Sequence, residues 1–242
     1  MRCSTLVLLA ALASRAAAQM PDKFTNLKVL PADIPRDSLI NIMRGFSLAL
    51  SVRCQFCHVG GDGVSFKDVD FAKDDDLHKR RARFMLRMVD SLNKVVLPNL
   101  PGLTGNALRI ECKTCHRGAS RPLLLTQALQ ETLDTGGIGA AVARYRQLRE
   151  KEPMEGRWDF GQWEMNLWTE RLAAAGRTTD AIAVYELNLE FFPKSTSILG
   201  ALGRLYEGSD RAKAIAYWER VLALEPNAAQ IRKRVDSLRA IP

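Results

Sequence analysis

Cys54-Gln55-Phe56-Cys57-His58 and Cys112-Lys113-Thr114-Cys115-His116 are two copies of one pentapeptide, Cys-x-x-Cys-His, and they govern how the rest of the chain is read. The spacing is that of covalent c-type haem attachment. Two thiols at this interval add to the two vinyl groups of one porphyrin, while the adjacent imidazole coordinates its iron. Cys54, Cys57, Cys112 and Cys115 are therefore the expected attachment residues of two haems, with His58 and His116 as proximal iron ligands. A shared zinc site fits less well. Cys57 and Cys112 are separated by 54 residues, far beyond zinc-ribbon spacing, and zinc needs no histidine after each pair. A simple disulfide leaves unexplained why two of the three histidines directly follow the two cysteine pairs.

The chain opens with Met1-Arg2-Cys3, an apolar run from Leu6 to Ala13 and the small residues Ala16-Ala17-Ala18. This pattern predicts a signal peptide over residues 1–18, cleaved before Gln19, with Cys3 leaving with it. The apolar core is too short for a membrane span of about 20 residues. Covalent haem attachment in bacteria takes place outside the cytoplasmic membrane, so leader and haem motifs point to the same periplasmic or extracellular location. Charge is uneven: residues 19–122 hold 17 Lys/Arg against 11 Asp/Glu, whereas residues 123–242 hold 16 of each. The basic excess lies with the haem motifs, where four haem propionates would balance much of it. Nothing in this context supports a nucleic-acid partner.

Residues 19–122 are expected to be a dihaem domain. A helix is predicted through Pro35-Arg36-Asp37-Ser38-Leu39-Ile40-Asn41-Ile42-Met43-Arg44-Gly45-Phe46, capped by Asp37 or Ser38, with Leu39, Met43, Phe46 and Leu50 on one face. Met43 lies 11 residues before Cys54, so a helix and a tight turn can bring its thioether over the first haem. A second helix follows Asp74-Asp75-Asp76, which complements its dipole, and carries Met85, Met88 and Leu92 on one face. Methionine on an apolar helix face is ordinarily core filling. Yet His78 is the only histidine outside the two motifs, so at least one six-coordinate iron needs methionine. His78 sits in Leu77-His78-Lys79-Arg80-Arg81, which reads as a solvated run; it is the alternative axial ligand, as is Met88.

The segments Asn26-Leu27-Lys28-Val29-Leu30-Pro31, Met43-Arg44-Gly45-Phe46, Cys57-His58-Val59-Gly60, Asp70-Phe71-Ala72, Met85-Leu86-Arg87-Met88-Val89 and Cys115-His116-Arg117-Gly118 together resemble the cytochrome c subunit of photosynthetic reaction centres. The resemblance covers about residues 25–122. It implies haems packed along helices that supply the axial ligand and lead by a turn into Cys-x-x-Cys-His. By position it makes Met43 the sixth ligand of the first haem and Met85 that of the second, leaving Met88 in the core. The subunit resembled has four haems; this chain has two motifs and resembles one half of it.

In residues 123–242 alanine, an aromatic four later and proline eight after that recur as Ala141-Tyr145-Pro153, Ala181-Tyr185-Pro193 and Ala214-Trp218-Pro226. The pattern is similar to the second helix of tetratricopeptide repeats. Leu202-Gly203 with Tyr206 matches the first helix, bulky residues at Trp158, Trp163 and Trp168 mark an irregular copy, and Asn227 to Ala240 would form a capping helix. Gly136-Gly137-Ile138-Gly139 reads as a flexible joint. The expected fold is mostly α: a multihaem c-type cytochrome of helix-turn-Cys-x-x-Cys-His units, then a short repeat-type α-solenoid that docks a partner or packs on the cytochrome.

The function these features imply is single-electron transfer between redox proteins or a membrane electron-transfer complex, with no catalytic residues. Two other classes remain: peroxide reduction at a haem with an open sixth position, and self-assembly through the repeats into a haem-lined fibre or respiratory complex.

Overall fold

The computed structural model describes residues 23–103, 108–151 and 156–240. The leader read over residues 1–18 and Pro153 lie outside them. The fold is mostly helical, with nine α-helices among the described residues and two short strands. The chain divides into two compact units, Met1–Pro122 and Leu123–Pro242.

In the first unit α1 spans Arg36–Leu50. The sequence places a cap at Asp37 or Ser38, but the helix starts earlier, with Pro35 at the N-cap and no side-chain cap. The Pro35 carbonyl accepts the Leu39 N–H at 3.0 Å. Asp37 instead sits in the first turn, where its charge favours the helix dipole. α1 stops at Ser51, which turns left-handed at φ 53°, and a 3-10 turn carries Cys54–Phe56. β1 (Val59–Gly60) and β2 (Val69–Asp70) pair antiparallel, Val59 opposite Asp70 and Gly60 opposite Val69. Gly60 takes φ 87°, and a Cβ there would overlap the Asp68 carbonyl.

α2 runs Leu77–Ser91 behind an Asp76 N-cap whose carboxylate accepts the His78 and Lys79 N–H groups. The helix then widens into a π turn over Leu92–Val96 and tightens over Leu97–Asn99. α2 does not lead directly into the second pentapeptide: the helix ends at Ser91 and the pentapeptide begins at Cys112. Asn93 spans the interval instead, its amide donating to the Ile110 carbonyl and accepting the Ile110 N–H, both at 2.8 Å. α3 (Cys112–His116) is one helical turn closed by a reciprocal Glu111–Thr114 cap, and it packs on α1.

The second unit holds α4 (Leu125–Lys151), α5 (Gln162–Ala174), α6 (Thr178–Phe191), α7 (Thr196–Tyr206), α8 (Arg211–Leu224) and α9 (Ala229–Ala240). From α5 onward each helix packs on the next. The glycine run is a break inside α4, where Gly137 adopts φ 76° and ψ 179°, a backbone state that favours glycine. The small-plus-aromatic pairs Ala141/Tyr145, Ala181/Tyr185 and Ala214/Trp218 are all buried. Of the three further tryptophans, Trp168 is buried, Trp158 packs against the core around it, and Trp163 is 62% exposed.

Candidate haem sites

The apolar face predicted for α1 is the wall of a cavity. Leu39, Met43, Phe46 and Leu50 line it together with Cys54, Cys57 and His58, and its volume is about 770 Å³. That is within the usual ~300–1,000 Å³ of ligand and cofactor sites. α2 closes it through Lys79, Ala82, Arg83 and Leu86. The left-handed turn at Ser51 allows this: it ends α1 abruptly and returns the chain, so that Met43 and His58 line one space.

The surroundings of His58 favour its neutral form. Burial lowers its pKa, the nearby Lys79 cation adds to the fall, and the Phe71 backbone only partly offsets it. Its Nδ1 is buried without a hydrogen bond of good geometry, and its ring tilts against Phe71 at 5.0 Å. A neutral imidazole is the form that binds metal. Burial also raises the Cys57 thiol, aided by the Asp76 carboxylate. Cys54, Cys57, Cys112 and Cys115 form no disulfide with one another, and no group of three or more His, Cys, Asp or Glu side chains is gathered as a metal cage among the described residues.

The second pentapeptide is built differently. His116 Nδ1–H donates to the Ala119 carbonyl at 2.7 Å, which fixes the ring and leaves Nε2 as the free lone pair. Arg117 and Gly118 turn left-handed, and the Gly118 N–H reaches the Ala49 carbonyl of α1 at 2.9 Å. Cys112 is half-buried and raised by burial, while Cys115 is exposed. Met85 is half-buried on α2 and Met88 is 38% exposed. Half a helical turn from the cavity-lining residues, α2 presents an open apolar stripe, Leu77, Phe84 and Met88, at 46%, 69% and 38% exposure.

His78 does not line the first cavity. Its side chain is 43% exposed, its Nδ1 lies 3.2 Å from the Asp76 carboxylate, and its ring rests 4.1 Å from that of Phe56. The solvated reading of its run fails for Lys79, which is 8% exposed. Helical period explains this, since Lys79 and Arg83 fall on the cavity face with Ala82 and Leu86. The sequence reading missed both cations.

Burial supplies a test of whether a large apolar group belongs here. Among the described residues the first unit buries four hydrophobic side chains, Leu39, Ala49, Leu97 and Ala119; the second buries twenty-four. The first unit lacks the core its size requires, and its apolar side chains face a cavity and an open stripe instead. Macrocycles of haem size fit that deficit.

A helical unit in which Cys-x-x-Cys-His peptides follow methionine-bearing helices is that of a c-type cytochrome. Residues 15–132 match the family of the photosynthetic reaction centre cytochrome C subunit, so the resemblance carried by the sequence holds over this stretch. Cytochrome c-554 of Chloroflexus aurantiacus is 39% identical over 75 residues, 31% of this chain and 16% of that protein. The photosynthetic reaction center cytochrome c subunit of Rubrivivax gelatinosus is 31% identical over 111 residues, 41% of this chain and 28% of that protein. The chain thus spans well under half the length of either relative.

Proposed function

We propose that the chain is a dihaem c-type cytochrome that carries single electrons between redox partners in the periplasm or outside the cell. The observation that supports it best is the lining of one apolar cavity by Met43, Cys54, Cys57 and His58. In this reading Cys54 and Cys57 would hold the first haem by thioethers, and His58 and Met43 would ligate its iron. Cys112, Cys115 and His116 would hold the second together with Met85, with Met88 or His78 as the alternatives to Met85. Bound haem supplies an iron that cycles between two oxidation states one electron at a time. The chain's residues hold it and exclude water. Methionine sulfur favours reduced iron, so both potentials sit above those of bis-histidine haems.

Covalent haem attachment, which in bacteria takes place outside the cytoplasmic membrane, supports that location. The name of the Rubrivivax gelatinosus relative, a reaction center subunit, supports a redox partner within a membrane electron-transfer complex as this chain's own. Residues 19–122 act as the dihaem domain, and residues 123–242 as a tetratricopeptide-like docking domain. Exposed Trp163 and Leu167, one turn apart on α5, support docking. Among the described residues that line the cavity His58 is the one histidine, which disfavours peroxide chemistry there, since no second imidazole of that lining could act on a bound peroxide.

The test is haem content. Purified protein should carry two covalently bound haems per chain by pyridine haemochrome assay, and the double variant Cys112→Ser, Cys115→Ser should carry one. Met43→Ala and Met85→Ala together should abolish the weak far-red band of methionine-bound ferric haem. A wild-type chain with one haem or none would sink the dihaem reading.

A further inference from the structure

We propose that Lys28, Lys79 and Arg83, gathered on Asp74, form a charge cluster that raises the reduction potential of a haem held in the first cavity. The inference rests on the haem reading above and adds to it a group that no ligand assignment contains.

Lys79 and Arg83 line the cavity although their side chains are only 10% and 15% exposed. Cations are rarely so buried without full pairing. Lys79 Nζ donates to the Phe71 carbonyl at 2.8 Å and the Lys73 carbonyl at 2.7 Å, and it lies 3.3 Å from Asp74 Oδ1. Three acceptors match the three N–H bonds of an ammonium. Arg83 Nη1 lies 2.7 Å from the same oxygen, its Nη2 donates to the Asn26 carbonyl at 3.1 Å, and Lys28 pairs with Asp74 Oδ2. These cations pull the Asp74 carboxyl far below its ordinary range.

One carboxylate therefore meets three cations, and the cluster keeps a surplus of two positive charges. Elsewhere on the cavity wall Lys23 and Arg53 are balanced by Asp68 and Asp70, so the surplus belongs to the cluster. Asp75 pairs with Lys73 at 2.9 Å; Asp76, which caps α2 and whose carboxylate acts on Cys57 and His58, offsets part of the surplus and leaves the cluster net positive.

Ferric haem carries one more positive charge than ferrous haem. A fixed positive surplus beside it destabilises the ferric state more, and a water-poor wall screens little of that effect. The sign is unchanged if haem carboxylates pair with the cluster, because removing one cation still makes the surroundings more negative.

Spectroelectrochemical titration of the full-length, haem-loaded protein tests this. Lys79→Met should lower one of the two one-electron waves, so that the ferrous-to-ferric ratio at fixed ambient potential falls roughly tenfold, about 59 mV for one electron. Asp74→Asn should raise the same wave by a similar factor, and the other wave should stay in place. Loosened packing or water entry would move both variants in one direction; that result, or no movement, would overturn the proposal. If Lys79→Met does not accumulate with haem, Arg83→Gln carries the same expected sign. Wild-type protein without haem would defeat the parent reading as well, whereas haem with unmoved waves would defeat only the charge inference.

Discussion

Glu207 shows how much one side chain can hold. Its carboxylate accepts the Trp218 indole N–H at 2.8 Å and forks onto the Arg234 guanidinium of α9, with its own side chain 21% exposed. Arg234 first, then the Trp218 donor, draw its pKa below the ordinary 4.5. A carboxylate depressed on folding contributes stability that is full above its unfolded pKa and is lost as pH falls through the folded one. Glu207→Gln should therefore cost about 1–2 kcal/mol at neutral pH by chemical denaturation. The gap to wild type should close as the pH drops below 4.5. A gap that persists unchanged in acid would show packing, not charge, to be the cause. At this scale the sequence speaks unevenly. The pentapeptides declare a chemistry because two thiols and an adjacent imidazole at this interval are a recognised haem-attachment pattern. Glu207 and Lys79 are silent, because a charged residue looks the same in sequence whether its partners are water or a buried indole.

Elements were legible where apolar period had no competitor. The α1 stripe of Leu39, Met43, Phe46 and Leu50 is one face of one helix, and all four line the first cavity. The connection from α2 to α3 was not legible, because it depends on a π turn and on the two-way bond between Asn93 and Ile110. Neither leaves a periodic trace. Packing of α7 on α8 turns on a glycine that the repeat pattern did single out: a Cβ at Gly203 would stand 2.7 Å from Trp218 Cε2. Gly203→Ala should thus destabilise the second unit by about 1–3 kcal/mol, despite a gain of under ~1 kcal/mol in helix propensity. Gly139→Ala, where a new Cβ meets nothing within 4 Å, should gain about 0.5–1 kcal/mol. Paired thermal melts check both, and equal shifts in the two variants would refute the steric account.

Across the whole molecule the contrast in burial is the governing fact. The second unit closes two cores, one around Leu129, Tyr145 and Met165, the other around Ile198, Leu202 and Trp218. The first unit has four buried hydrophobic residues among those described, while Leu48, Val64, Phe84 and Leu108 stand at 62–83% exposure. A polypeptide of that composition buries too little apolar surface to offset its conformational entropy. Its core is to be supplied by the groups it binds, so binding free energy becomes folding free energy there, as it does in small metal-dependent domains. Protein made without haem attachment should lose structure in residues 23–122 while residues 123–240 stay folded. Limited proteolysis read by mass spectrometry should then leave a resistant fragment beginning near Leu123, whereas haem-loaded protein should resist on both sides of that point. Equal resistance of the first unit with and without haem would mean that it folds on its polypeptide alone, and the assignment of haem as its core would fall.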